Sequence, residues 1–123
     1  MFHNRTYIGF LILLHSWILF SCEGGIISPA EGTKFVFLPG STGKLTWRFD
    51  DDISVVIFRG FFFTRSGGSS ERLATIVDDN DPRIRHSSLS GVKIVKPATL
   101  LLKNVNQSYD GVYLFQLFGS GPG

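Results

Sequence analysis

Turn residues punctuate this chain so often that no long helix fits between them. From Ile26 onward, short apolar runs are closed roughly every ten residues by Gly, Pro, Ser, Asn or Asp, the rhythm of an antiparallel sandwich of short strands. The clearest run is 44–49, where Leu45, Trp47 and Phe49 alternate with Lys44, Thr46 and Arg48. A period of two puts the three apolar side chains on one face. Further β-branched or aromatic runs fall at 34–38, 54–65, 72–77, 83–86, 92–95, 99–105 and 112–118. The glycine-rich segment 66–70 reads as a flexible hairpin loop, and no repeat or amphipathic helix of useful length is present. Fourteen glycines and twelve phenylalanines among 123 residues suit many strands and turns within one domain. A formal charge of +2, spread along the chain, argues against a nucleic-acid partner or an anionic membrane surface.

The start of the chain has a different character. His3 and Arg5 precede an apolar run from Tyr7 to Phe20, broken only by Gly9, His15 and Ser16, and the small residues Ser21, Cys22, Gly24 and Gly25 follow. That order is expected of a secretory signal peptide over residues 1–24, cleaved near Gly24. Two other readings exist. An uncleaved anchor is disfavoured because the run is shorter than the ~20 residues that span a bilayer. The segment Leu19-Phe20-Ser21-Cys22 also resembles a bacterial lipoprotein box, behind a poorly charged start. The expected product is a secreted or cell-surface domain over residues 26–118, with a Gly- and Pro-rich tail at 119–123. Cys22 is the only cysteine and lies within the leader, so the exported domain has no disulfide.

At residues 100–115 the pattern resembles a known family. Leu100-Leu101-Leu102-Lys103-Asn104-Val105, followed by Asp110-Gly111-Val112-Tyr113, looks like strand E, the E–F turn and strand F of an immunoglobulin V-set domain. The family writes Asp-x-Gly-x-Tyr-x-Cys; Gly111 and Tyr113 fit, Tyr109 stands where the Asp belongs, and Phe115 occupies the cysteine position. Residues 40–49 are similar to the family's strand B, with Trp47 at the other cysteine position, 68 residues before Phe115. The resemblance implies an all-β, antiparallel, V-type immunoglobulin-like sandwich. It implies that Tyr113 forms the tyrosine corner and that Phe58 takes the place of the strand C core tryptophan. In a competing register, Glu31 to Leu38 is strand B and Trp47 is the strand C tryptophan. That version resembles the N-terminal domains of the carcinoembryonic-antigen adhesion family, which also lack the disulfide.

Trp47 and Phe115 are therefore expected to replace the cystine. A buried disulfide contributes ~2–4 kcal/mol, mainly by restricting the unfolded chain; two packed aromatics recover much of this through burial and ring geometry. After Phe115 only a few residues remain before Gly123, so either the domain is cut short or strand G is missing, and strand F is expected to be an open edge.

Chemistry is sparse. Outside the leader the only histidine is His86, beside Ser87 and Ser88, and no nucleophile elbow, zincin motif or phosphate loop occurs, so no enzyme, cofactor or small-molecule substrate is expected. The acidic turns at 50–52 and 78–81 match no calcium loop and read as solvated hairpin turns, with no metal site. Asn106-Gln107-Ser108 is an N-glycosylation sequon in the expected E–F turn. In Arg59-Gly60-Phe61-Phe62-Phe63-Thr64-Arg65, three consecutive phenylalanines on a strand cannot all face inward. Arg59, Phe61, Phe62, Phe63 and Arg65 are accordingly the candidate interface, an aromatic patch flanked by Arg on the C, C′ and F face. The expected function is recognition or adhesion by protein–protein contact, with a like domain as a candidate homophilic partner, and the chain a fragment of a cell-surface receptor or a domain in its own right. The alternative is a secreted binder of carbohydrate or pathogen surfaces.

Overall fold

The computed structural model describes residues 10–18, 26–30, 32–65 and 67–119. The regular structure among the described residues is almost wholly strand: β1 Phe10–Ile18, β2 Ile26–Ser28, β3 Lys34–Phe37, β4 Gly43–Thr46, β5 Arg48–Phe49, β6 Val56–Arg65, β7 Ser70–Val77, β8 Arg83–Ile84, β9 Val92–Val95, β10 Thr99–Leu102 and β11 Gly111–Gly119. Two short 3-10 turns, Ile53–Val55 and Gln107–Tyr109, are the only helical pieces among the described residues. Asp52 caps the first through a carboxylate that accepts from Ser54 N–H, and Asn106 caps the second by accepting from Ser108 N–H.

Six strands make the larger sheet, in the order β3-β1-β11-β6-β7-β8. A three-stranded sheet runs β4-β10-β9, and β2 and β5 form a third, two-stranded piece. All pairs are antiparallel except β1 with β11. The 44–49 run holds its expected alternation, with Leu45 and Trp47 buried, Phe49 half-buried, and Lys44, Thr46 and Arg48 exposed. It is nevertheless split at Trp47: β4 pairs with β10, β5 pairs with β2, and Trp47 N–H donates to Ala98 C=O at 2.9 Å. The strand carrying Trp47 thus lies in the layer opposite β11, and β6 is the antiparallel neighbour of β11.

Two expectations change here. Residues 10–18 of the segment expected as a leader form β1, which pairs with β11 and with β3, while the rest of that segment, with the expected cleavage point near Gly24, lies outside the described residues. The strand expected as an open edge, β11, consequently has a neighbour on each side. The expected strand at 99–105 stops at Leu102, because Asn104 takes φ +53 and turns the chain toward Val105, which is anchored by N–H to Ser41 C=O. Of the tail, Gly119 ends β11, and residues 120–123 lie outside the described residues.

Candidate functional site

The two faces of β6 and β11 separate what is structural from what is available. On β6, Arg59, Phe61 and Phe63 are fully buried, while Phe58, Phe62 and Thr64 are only partly covered. On β11, Tyr113, Phe115 and Leu117 are buried, and Val112, Leu114, Gln116 and Phe118 are partly covered. This is the two-residue period of a sheet with one face in the core.

The inner face holds an aromatic cluster. Trp47 and Phe115 stack at 5.3 Å between ring centroids with 22° between planes. Phe61 completes a triangle, 5.9 Å from Trp47 in edge contact and 5.2 Å from Phe115, and Phe49 lies 6.2 Å from Phe115. The structure brings together Trp47 and Phe115, the two residues expected to pack against each other. It does not bring Phe58 to them. Phe58 has the wrong parity on β6 for the core, and Phe61, three residues on, fills the space beside Trp47.

Tyr113 is buried next to Phe63, with ring centroids 4.8 Å apart, and its hydroxyl donates to Tyr109 C=O at 2.6 Å. Burial, and then the neighbouring Tyr109 and Asp110, push that hydroxyl above its ordinary value, so it remains a donor throughout the accessible pH range. Tyr109, which stands where the resembled family has Asp, is itself buried. Its hydroxyl accepts from Gly91 N–H at 2.9 Å and donates to Lys103 C=O at 3.4 Å, tying the start of β9 to the end of β10. Gly111 is required at the adjoining position, because a Cβ there meets Thr64 C=O and the Phe63 ring.

Three of the five candidate interface residues, Arg59, Phe61 and Phe63, are fully buried, and Arg65 is partly covered. Arg59 is a buried cation: its guanidinium donates to Pro97 C=O at 2.9 Å, to Asp78 C=O at 2.7 Å and to Asp79 Oδ1 at 2.9 Å. Lys96 lies 3.5 Å from the same carboxylate. The Arg59 hydrogen bond, together with the field of Lys96, holds the Asp79 carboxyl below its ordinary range. The acidic turn at 78–81 therefore serves as the lock for a buried arginine. Phe61 and Phe63 lie in the core. Arg65 donates to Ser108 C=O and to Ser88 Oγ, with its guanidinium 5.6 Å from the Phe63 ring centroid. Ser88 in turn donates through N–H and hydroxyl to Glu71, whose carboxyl is lowered first by that hydroxyl and then by the N–H.

Phe62 faces outward, and it is not alone there. Phe58 and Phe62 flank Gly60 on the outer face, and a Cβ at Gly60 would lie 2.7 Å from a ring carbon of each. Across the ladder, Phe62 is in register with Leu114, Phe58 with Phe118 and with Val77, and Gly60 with Gln116. Arg72 lies with its guanidinium carbon 5.9 Å from the Phe62 centroid. The result is an apolar band across β7, β6 and β11 with one amide at its centre and one cation at its edge. Sequence reading missed Phe58, Leu114 and Phe118 as members of this band; the available signal was the parity set by Phe115 in the core.

Asn106, Gln107 and Ser108 are exposed, and Asn106 Oδ1 accepts from Ser108 N–H at 2.8 Å, so the sequon lies open on the surface of its turn. Among the described residues no group of three or more His, Cys, Asp or Glu gathers as metal ligands, and no helix is long and apolar enough to cross a membrane. The sequence matches no protein-family model and no curated protein.

Proposed function

We propose that the chain is an immunoglobulin V-like recognition module of the extracellular space, acting by protein–protein contact through the outer face of β6, β7 and β11. The observation that carries this reading is the apolar band of Phe58, Phe62, Leu114 and Phe118 around Gly60 and Gln116, partly exposed on a sheet whose other face is core. Aromatic side chains in a flat patch with few charges are the composition of protein docking surfaces.

Three features support the parent architecture. The order β11-β6-β7-β8, set against β4-β10-β9, corresponds to F, C, C′ and C″ facing B, E and D of a V-type sandwich. The Tyr113 hydroxyl bonds back to the turn four residues upstream, as a tyrosine corner does. The Trp47–Phe115 stack joins the layers where the family has its cystine. On this reading the sequon at Asn106 carries a glycan in a eukaryotic host, at the end of β11 and away from the centre of the band.

The partner that fits is a second, like domain, because a flat apolar band with a central amide is complementary to itself across a two-fold axis. Sedimentation velocity over a concentration series tests this. The chain is expected to self-associate weakly, and Phe62→Arg, which adds a second cation beside Arg72, is expected to abolish association without changing the circular dichroism spectrum. A strict monomer at high concentration removes the homophilic reading. Self-association untouched by Phe62→Arg moves the interface off this face.

A further inference from the structure

The larger sheet is bridged between β3 and β11 by a strand that enters it from outside the run of hairpins. β1 lies between β3 and β11, parallel to β11 from Ile12 opposite Gly111 to Ile18 opposite Leu117, and antiparallel to β3 from Phe10 opposite Phe37 to Leu13 opposite Lys34. Among the described residues, β3 has no other strand neighbour. Without β1, the two remaining edges would face each other across the width of one strand, about 10 Å between strand axes.

The orientation matters. A tight hairpin leaving β11 delivers an antiparallel strand; a parallel neighbour has to come from elsewhere in the chain or from another chain. Here it comes from the N-terminal apolar segment, joined to β2 only through residues 19–25. This is also the segment whose charge pattern and small-residue boundary read as a cleavable leader. A strand held by a backbone ladder on both sides does not need covalent continuity to stay in place.

We propose that the space between β3 and β11 is a strand-acceptor site for one extended apolar segment bound parallel to β11. The chain's own residues 10–18 are its occupant, and they are separable and exchangeable in trans. The chemistry of recognition is main-chain hydrogen bonding along Gly111–Leu117, available to any apolar strand without proline. The proposal rests on strand register and stands independently of the docking face on β6.

The test uses the full chain with a specific protease site inserted between Gly24 and Gly25, cut after folding. The released segment is expected to co-elute with the remainder in size exclusion. It is further expected to exchange with a labelled peptide of residues 10–18 carrying flanking lysines, and a peptide with Leu14→Pro is expected to bind at least about tenfold more weakly. Hydrogen exchange should report protection that follows peptide occupancy at those alternate amides of Gly111–Leu117 that point away from β6 toward the slot. Should cutting unfold the remainder, refolding on addition of the peptide supports the site, and failure to refold overturns it. A cut chain that stays folded, sheds the segment, takes up no peptide and keeps its amide protection unchanged also overturns it.

Discussion

Replacing Trp47 and Phe115 with Leu, singly and together, asks whether the ring pair acts as a unit in place of a covalent staple. Both rings are essentially inaccessible and stack at 5.3 Å and 22°, with Phe61 against each of them. Truncation of a buried Phe or Trp to Ala costs roughly 3–5 kcal/mol; Leu keeps much of the apolar volume, so each single change is expected to cost roughly 2–3 kcal/mol. An aromatic pair in a favourable geometry carries ~0.5–1.5 kcal/mol beyond its area, so the double variant should fall short of additivity by about that amount. Urea denaturation followed by far-ultraviolet circular dichroism gives all four free energies without relying on Trp47 fluorescence. Additivity within ~0.3 kcal/mol would show that the two residues merely share a core. Introducing cysteine at both positions gives the complementary number: a loop of 68 residues is worth about 4 kcal/mol by chain entropy, set against the loss of two large rings. The oxidised pair is therefore expected to gain little or nothing over the native chain.

Tyr113→Phe removes the hydroxyl that donates to Tyr109 C=O while keeping the ring on Phe63. The expected loss is about 1–2 kcal/mol in urea denaturation, because it leaves a carbonyl in a buried turn without its donor. Gly60→Ala places a methyl against the Phe58 and Phe62 rings. These are free to swing toward solvent, so the cost should be about 1–3 kcal/mol with an unchanged fold, and any self-association should weaken with the displaced rings. Stability should also fall in acid. The Asp79 and Glu71 carboxyls are both held below their ordinary values of 3.8 and 4.5, so what they contribute is present above those values and is lost as pH drops through the lower folded-state ones. Thermal melts should therefore be flat near neutrality and decline below about pH 4, and Asp79→Asn should flatten that decline.

How much could be read in advance depended on what each residue's pattern depends on. The 44–49 run, the run at 34–38 (a strand over Lys34–Phe37) and residues 92–95 were legible because alternation and turn residues are local signals. β1 was not, since a continuous apolar run serves equally as a leader or as a strand with a neighbour on each side. The parity of β6 failed for a related reason. Phe58, Phe61, Phe62 and Phe63 offer no contrast between faces, and the register is decided by what Trp47 and Phe115 leave room for. Arg59 was misread because flanking charges on a strand ordinarily face water. Its acceptors, Pro97 C=O, Asp78 C=O and Asp79, lie 38, 19 and 20 residues away, and only the fold brings them together.

A cystine and a ring cluster stabilise a sandwich in different ways, and the difference bears on the strand slot. The cystine acts chiefly on the unfolded chain and remains when the layers part. The cluster of Trp47, Phe61 and Phe115 acts only while the layers are apposed, because its energy is burial and ring contact. Phe115 is also the β11 residue opposite Phe61 on one side and opposite Ser16 of β1 on the other. Any opening that frees the β1 side of β11 therefore loosens the strand that carries the central ring. In a chain without a covalent tie, occupancy of the slot and integrity of the core belong to one cooperative unit. A strand bound there should raise the protection of β6 amides, two strands away, as well as those of β11.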